Sequence, residues 1–253
     1  MPDLLQRAND FRAAFARRQA AETLELPGAF AVRDAEFALS LEHNQLIVDA
    51  PGVRPETLPA LAARGLGADR PHQITVLDAA LGERAAPVLA DAGYTRDAEV
   101  VLARGTAGCA QPRGAARPVT LDELRDPLYR QQLEWSPDEE LARQLAERRA
   151  ARLRGAQEVV FLASRTPGGE IAAWTDLYLD RAAGLAQLED LVTAAPHRGH
   201  GHGDVLLATG LALAAAAGIP DLFLVAHASD WPRQWYARRG FTELGGASGF
   251  LRQ

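Results

Sequence analysis

The segment Leu191–Asp204 (LVTAAPHRGHGHGD) restricts the possible structures of this chain more than any other segment. An apolar stretch with strand character runs into alternating glycines, and a helical apolar segment follows at once. Glycines let the backbone approach an anion closely, and the N-terminus of the following helix adds positive potential. Arg198 brings a full positive charge to the same turn. The segment therefore predicts a phosphate-binding loop between a strand and a helix.

Other structures compete for this segment. A dinucleotide-binding turn requires G-x-G-x-x-G, but counting from Gly199 the last glycine position is occupied by Asp204. A nucleotide P-loop requires Gly-Lys-Ser/Thr, which is absent. His197, His200 and His202 suggest a metal site, but no Cys or carboxylate completes a familiar ligand spacing. A glycine-rich turn without a ligand stays open as an alternative.

A second motif lies downstream in the segment Asp230–Phe241 (DWPRQWYARRGF). Together with the pattern Arg198-x-x-Gly201-x-Gly203, it resembles the GNAT superfamily of acyl-CoA-dependent N-acyltransferases. The superfamily has a pyrophosphate loop of the form Arg/Gln-x-x-Gly-x-Gly/Ala and a later segment of the form (F/W)Y-x-x-x-G-F. The resemblance covers residues 116–253, with the two motifs in the family's order.

This resemblance implies an α/β (α+β) fold of the GNAT type. Its sheet is mixed and mostly antiparallel, and two central parallel strands splay apart to admit the pantetheine arm. By resemblance, those strands are Leu185–Thr193 and Leu222–Ala226. Acetyl-CoA is the implied co-substrate, and no metal is implied.

The resemblance also implies which groups bind the coenzyme. Backbone groups of one strand would pair with the pantetheine amides and help to polarise the thioester carbonyl, and they belong to Leu191, Val192 and Thr193. Backbone amides of the loop would hold the pyrophosphate, and they belong to Arg198, Gly199, His200, Gly201, His202, Gly203 and Asp204. Ser229 lies where family members place a polar side chain near the pantetheine.

Tyr236 is the predicted general acid, because the family's tyrosine at this position points towards the coenzyme sulfur and protonates the departing thiolate. The alternative is a core aromatic that packs with Trp235 and Phe241.

The general base has no motif. Attack needs a neutral amine, so a carboxylate or an ordered water must take its proton. Glu189 is the predicted base, since strand alternation sends it and Asp190 to opposite faces and one of them can face the acceptor. Weaker candidates are Tyr178, Asp176 and His227. Trp174 either lines the acceptor cleft or packs in a hairpin.

The chain divides into two halves of similar element order at the small, flexible segment Gly105–Arg117. We predict a degenerate GNAT-like domain at 1–105, a linker at 106–115 and a GNAT N-acetyltransferase domain at 116–253, that is, a tandem. Gly82–Arg104 resembles the family's last helix and strand, but Ala50–Pro55 lacks the glycines of a phosphate loop. An unrelated small α/β domain is the alternative for the first half.

The composition of the chain argues against some classes of partner and cellular setting. The net charge of −6 argues against nucleic-acid binding, which depends on phosphate neutralisation. The single cysteine, Cys109, favours a reducing, cytoplasmic setting. The apolar run Val205–Pro220 is short for a membrane span.

The expected acceptor is a small-molecule or peptide amine that attacks the thioester directly. The alternative is a non-catalytic acyl-CoA sensor or interaction module. Tyr236→Phe should leave acyl-CoA binding intact under both hypotheses, whereas a loss of turnover would support only the enzyme.

The pattern also predicts individual elements. These are a helix over roughly residues 2–21, a strand at Val119–Thr120, helices at Leu121–Trp135 and Pro137–Arg154, the second capped by Ser136, and two short final strands at Phe241–Leu244 and Gly249–Arg252.

Overall fold

A computed structural model describes residues 3–253. Contacts group these residues into two compact units. We call residues 3–102 with Val225–Gln253 unit 1, and Ala103–Leu224 unit 2. The predicted domains 1–105 and 116–253 are each continuous in sequence, whereas unit 1 combines both ends of the chain. The domain division stays a prediction.

The secondary structure is mixed throughout. Up to residue 110 the elements are α1 (Leu4–Gln19), β1 (Glu22–Leu26), β2 (Ala29–Arg33), β3 (Gln45–Val48), α2 (Leu58–Leu66), β4 (His72–Val76), α3 (Ala79–Asp91) and β5 (Thr95–Gly105). They are followed by β6 (Arg117–Pro118), α4 (Leu121–Trp135), α5 (Glu139–Glu147), α6 (Arg149–Arg152), β7 (Glu158–Arg165), β8 (Ile171–Asp180), β9 (Leu185–Thr193), α7 (His202–Ala216), β10 (Asp221–His227), α8 (Trp231–Ala237) and β11 (Thr242–Arg252).

The sheet of unit 1 has the strand order β1-β2-β3-β4-β11-β5. Strands β3 and β4 are parallel, and β11 lies antiparallel to β4. Successive side chains of β3 point to opposite faces of the sheet. Leu46 joins a core cluster with residues of α2 and α3, while Ile47 joins a second cluster with residues of α1. The sheet of unit 1 is therefore covered by helices on both sides.

In unit 2, strands β9, β8, β7 and β6 follow one another antiparallel, and β10 begins parallel to β9. Every residue from Ile171 to Leu179 of β8 is buried. Trp174 packs in a cluster with Leu124 and Leu128 of α4. On α7, an added Cβ at Gly210 would come within 2.8 Å of Leu188, so α7 packs closely against the sheet. Among residues 3–253, no helix is long and apolar enough to cross a bilayer.

The helix α4 and the strand β9 have the predicted bounds, and the mixed GNAT-like architecture is confirmed. The predicted helix over residues 2–21 is observed as Leu4–Gln19, with Pro2 outside the described residues. The predicted strand Val119–Thr120 is wrong, because Thr120 caps α4 through a capping box with Glu123.

Two further boundaries are wrong. Ser136 does not cap the second helix, since Asp138 does so by accepting a hydrogen bond from the Leu141 N–H at 2.9 Å. The predicted helix is also divided into α5 and α6. The two predicted final strands form the single strand β11, which continues through Gly246 and Gly249. At these positions an added Cβ would come within 3.3 Å of the Glu99 carbonyl and 3.1 Å of Gln73 Nε2, so the glycines permit close approach rather than break the strand.

Candidate active site

The predicted phosphate loop has the backbone geometry of a tight, glycine-dependent turn. A 3-10 turn at Ala195–His197 precedes it, and α7 begins at His202 directly after it. Gly199 and Gly201 have φ of +81° and +83°, and an added Cβ at either would meet nothing within 4 Å. Both glycines are therefore required by their left-handed backbone and not by crowding. Gly201 is also the N-cap of α7 and provides no side-chain cap, which leaves the helix start suited to an anion.

The side chains of this loop differ in exposure and pairing. Arg198 is exposed, and its Nε donates to the carbonyl of Thr193 at 3.3 Å. His202 Nδ1 lies 2.8 Å from Ser164 Oγ, and its ring meets that of His197 edge-on at 6.1 Å. Burial lowers the pKa of His202, and the neighbouring His197 and His200 lower it further. Within residues 3–253, no group of three or more His, Cys, Asp or Glu side chains is arranged to hold a metal ion.

Strand β9 leads into the loop and has a free stretch on its β10 side. The parallel pairing covers Asp221–Phe223 of β10 and Leu185–Gln187 of β9, although β9 continues to Thr193. On the other side, Val192 and Thr193 pair with Trp174 and Ala173 of β8. The divergence leaves the outer edge of Leu191–Thr193 without a strand partner among the described residues, as a splayed pair requires.

A bulge interrupts β9 just before this edge. The register with β8 shifts between Trp174 and Asp176, and Asp190 has a φ of 50°. Regular alternation of side chains therefore fails at Asp190. Glu189 and Asp190 were predicted to lie on opposite faces of a regular strand, but the strand is not regular here, so alternation does not explain where their side chains lie. Thr175 Oγ1 donates to the Glu189 carbonyl at 2.8 Å on the β8 side of the bulge.

Four charged side chains, three of them buried, form a network under the bulge. Arg149 and Arg152, 4% and 1% exposed, both contact Asp176, which is fully buried. Both also reach Asp190 Oδ2, at 3.0 Å and 2.8 Å. Burial raises the pKa of Asp176, and the two guanidinium groups oppose this change. Asp176 and Asp190 therefore have structural ion pairs, and no sequence spacing indicated that α6 would provide both partners.

Glu189 keeps a different environment from Asp190. Its side chain is partly exposed and accepts a hydrogen bond from the side-chain amide of Gln187, two residues earlier on the same strand. The Gln187 amide thus helps to orient the Glu189 carboxylate.

A small cavity of about 110 Å³ lies between α4, the start of β8 and the turn after β9. Trp174 and Gln131 contribute to its lining, and the buried Nε1 and Oε1 of these residues have no hydrogen-bond partner within residues 3–253. Two carboxylates, Glu134 and Glu170, also line it. Glu134 Oε2 accepts a hydrogen bond from the Gln131 amide at 3.1 Å, which directs the Gln131 side chain.

Tyr236 and Ser229 belong to unit 1. Tyr236 is buried on α8, with its ring centroid 5.0 Å from that of Trp235 and 5.7 Å from that of Phe241. The predicted packing contacts are therefore present. Ser229 lies in the exposed turn before α8, where its Oγ is 3.0 Å from Nδ1 of His227. His227 Nε2 in turn lies 2.5 Å from Oδ1 of Asp97 on β5, a residue that the sequence did not single out.

Residues 120–241 match the model of the acetyltransferase (GNAT) family. The structure is similar to a GCN5-related N-acetyltransferase from Kribbella flavida, with a TM-score of 0.64, 17% identity, and coverage of 100% of this chain and 96% of that chain. A tandem GNAT protein from the clavulanic acid biosynthesis pathway matches with a TM-score of 0.55, 15% identity and coverage of 98% and 94%.

A conserved protein of unknown function from Staphylococcus epidermidis matches with a TM-score of 0.68, 10% identity and coverage of 91% and 93%. A comparison with curated proteins gives no match. At these identities the structural likeness shows the fold, and the family model adds the assignment of the sequence. Residues 120–241 of this chain are a domain of the acetyltransferase (GNAT) family.

Proposed function

We propose that this protein transfers an acetyl group from acetyl-CoA to an amine by direct attack of the amine on the thioester. The observation that carries the proposal lies within unit 2. A strand diverges from its parallel partner and then enters a turn with two left-handed glycines, Gly199 and Gly201, at the start of a helix. Such a turn presents backbone N–H groups to a phosphate, and the divergent strand edge presents hydrogen-bonding groups to an extended amide chain.

The coenzyme roles follow from that geometry and from the family. Backbone amides from Arg198 to Asp204 would hold the pyrophosphate, and Leu191, Val192 and Thr193 would pair with the pantetheine. Acetyl-CoA supplies the activated acyl group when bound. Ser229 is proposed near the pantetheine on the family motif.

Two side chains are proposed for proton transfer. Tyr236 would protonate the leaving thiolate, a role based on its motif. Glu189 would take the proton of the attacking amine, directly or through water. Its partly exposed carboxylate, oriented by Gln187, supports this role, while the ion pairs of Asp190 argue against the neighbouring residue.

The cavity beside α4 is proposed to bind the acceptor. Its lining carries two carboxylates, Glu134 and Glu170, and two basic residues, Arg130 and His197, so it offers polar and charged partners of both signs to an acceptor. The unpaired Nε1 of Trp174 and Oε1 of Gln131 would gain partners from a ligand with both a donor and an acceptor. A small-molecule amine or a peptide terminus meets these requirements.

The corresponding region of unit 1 supports a role without coenzyme. All four residues of β3 pair with β4, so this parallel pair does not diverge as β9 and β10 do. The segment after β3 includes Gly52, whose φ is not positive. We therefore propose that the first half is a degenerate GNAT-like domain that does not bind acetyl-CoA.

The proposal is tested by calorimetric titration with acetyl-CoA and, separately, with NAD. One site per chain for acetyl-CoA and none for NAD is the expected result, followed by amine-dependent release of the coenzyme thiol. Gly201→Ala should weaken acetyl-CoA binding by about tenfold, since a left-handed non-glycine residue costs about 1–2 kcal/mol.

Gly114→Ala is the matched control, because Gly114 also has a positive φ of +66° and open space around it but lies outside the loop. It should leave the affinity for acetyl-CoA unchanged. Absence of acetyl-CoA binding to the unmodified protein would exclude the proposed function.

A further inference from the structure

Three side chains of unit 1 form a hydrogen-bonded chain, and the proposed acetyl transfer to an amine uses only one of them, Ser229, as a polar group near the pantetheine. Ser229 Oγ lies 3.0 Å from His227 Nδ1, and His227 Nε2 lies 2.5 Å from Asp97 Oδ1. The Ser229 backbone N–H also points to His227 Nδ1, at 3.3 Å. The Ala228 N–H donates to the Ala98 carbonyl at 2.8 Å, which fixes the end of β10 beside β5 and brings the three residues together.

These contacts define the protonation pattern of the ring. The Asp97 carboxylate only accepts hydrogen bonds when ionised, so His227 Nε2 carries the proton on that side. In the neutral ring, Nδ1 is then an acceptor, and it faces both the hydroxyl and the N–H of Ser229. A hydroxyl that donates to an imidazole, which in turn donates to a carboxylate, is the arrangement of an activated serine nucleophile.

Asp97 can support the positive charge that forms on the imidazole. Burial raises the pKa of Asp97 and the nearby Glu99 adds to this, while His227 opposes it. Glu99 itself is paired with Arg12 at 2.7 Å. The carboxylate that faces His227 is therefore Asp97.

A cavity adjoins the serine. Its volume is about 410 Å³, within the range of about 300–1,000 Å³ typical of small-molecule sites. It is lined by Ala228, Ser229, Asp230, Arg233, Gln234 and Ala237. Arg233 is held by Glu243 at 2.7 Å, whereas the Gln234 side chain has no hydrogen bond within residues 3–253. The Gln234 amide is therefore available to donate to a substrate oxygen.

We propose that Ser229, His227 and Asp97 form an acyl-transfer centre that hydrolyses small acyl esters and thioesters through an acyl-serine. Ser229 Oγ attacks the carbonyl carbon, and its proton passes to His227 Nδ1. The new C–O bond forms as the C–O or C–S bond to the leaving group breaks, and His227 protonates that group. Water then attacks the acyl-serine, gives its proton to His227, and releases the carboxylic acid as the proton returns to Ser229.

The two activities share Ser229, but ester hydrolysis can be measured apart from the proposed amine acetylation, because a small ester needs neither the phosphate loop nor an amine. The probe is p-nitrophenyl acetate, without amine, on the full chain. The expected result is a burst of p-nitrophenolate of up to one equivalent, with an acetyl group located on the Ser229 peptide by mass spectrometry. Acetyl-CoA titration of the same sample reports separately on the proposed function.

Variants assign the roles. Ser229→Ala should abolish the acetylated peptide, and His227→Gln should slow its formation by about a hundredfold. Asp97→Asn should slow it by about fivefold, since the ion pair is partly exposed. Ser136→Ala, at the end of α4, is the control and should leave the burst unchanged. Melting curves of all variants check that each is folded.

The same experiment can overturn the proposal. An acetyl group found on another residue, or hydrolysis at the same rate in Ser229→Ala, would refute it. If Ser229→Ala does not fold, Ser229→Cys serves instead, and its acetyl label must become a thioester cleaved by neutral hydroxylamine. A folded Ser229→Cys variant without such a label would refute the proposal as well.

Discussion

Replacing Asp176 by Asn tests whether the network under the β9 bulge holds unit 2 together. Asp176 is fully buried and contacts Arg149 and Arg152, which are 4% and 1% exposed. The substitution removes the charge of the carboxylate that both buried arginines contact, and it turns a donor NH₂ group towards a guanidinium. Removing one partner of a buried ion pair costs about 3–5 kcal/mol.

The free energy of unfolding should fall by that amount, and the melting temperature by about 6–20 °C for a chain of this size. Urea denaturation followed by tryptophan fluorescence measures the change, since Trp135 and Trp174 both lie in unit 2. Asp122→Asn is the matched control. Asp122 also pairs with an arginine, Arg125 at 2.8 Å, but its side chain is 82% exposed, so the loss should stay below about 1 kcal/mol. Equal small losses in both variants would refute the reasoning.

Four further predictions concern catalysis, pH and packing. Tyr236→Phe should lower kcat for acetyl transfer by about a hundredfold with acetyl-CoA affinity retained, as measured by coenzyme release and calorimetry; unchanged kcat would exclude Tyr236 as the acid. Glu189→Gln should lower the rate mainly with acceptors whose amine is protonated at neutral pH, and equal loss for weakly basic amines would count against its role as base. The pKa of His202 is lowered in the folded protein. The contribution of the neutral His202 ring to stability is therefore complete above the ordinary pKa of about 6.5 and is lost as the pH falls through the folded pKa. The melting temperature of His202→Gln should fall less on acidification than that of the unmodified protein, and an identical fall would contradict this linkage. Gly210→Ala should destabilise unit 2 by about 1–3 kcal/mol in urea denaturation, because the new methyl group would meet Leu188 at 2.8 Å; full stability would mean that α7 shifts freely.

The glycine turn before α7 was predictable because its determinants are local. Gly199 and Gly201 take left-handed conformations that only glycine adopts without strain, and α7 starts where the apolar run resumes. The start of α4 is local in the same sense, since Thr120 and Glu123 form a capping box within one helical turn, although Thr120 was predicted to lie in a strand. The assignment of Tyr236 and Ser229 came from motifs, and their chemical roles stay predictions.

The sequence by itself determined the local structural preferences, which are the glycine turn, the helix starts and the strand alternation. Only the tertiary structure determined where contacts distant in sequence interrupt these local patterns. The bulge at Asp190 depends on Arg149 and Arg152 from a helix earlier in the chain, and no period in β9 encodes it. Asp97 and His227 meet because β5 and β10 lie side by side, and β11 pairs with β4 across most of the chain length. Such contacts join residues far apart in sequence, and the free energy that selects them comes from burial and pairing in the folded protein, so local patterns do not reveal them.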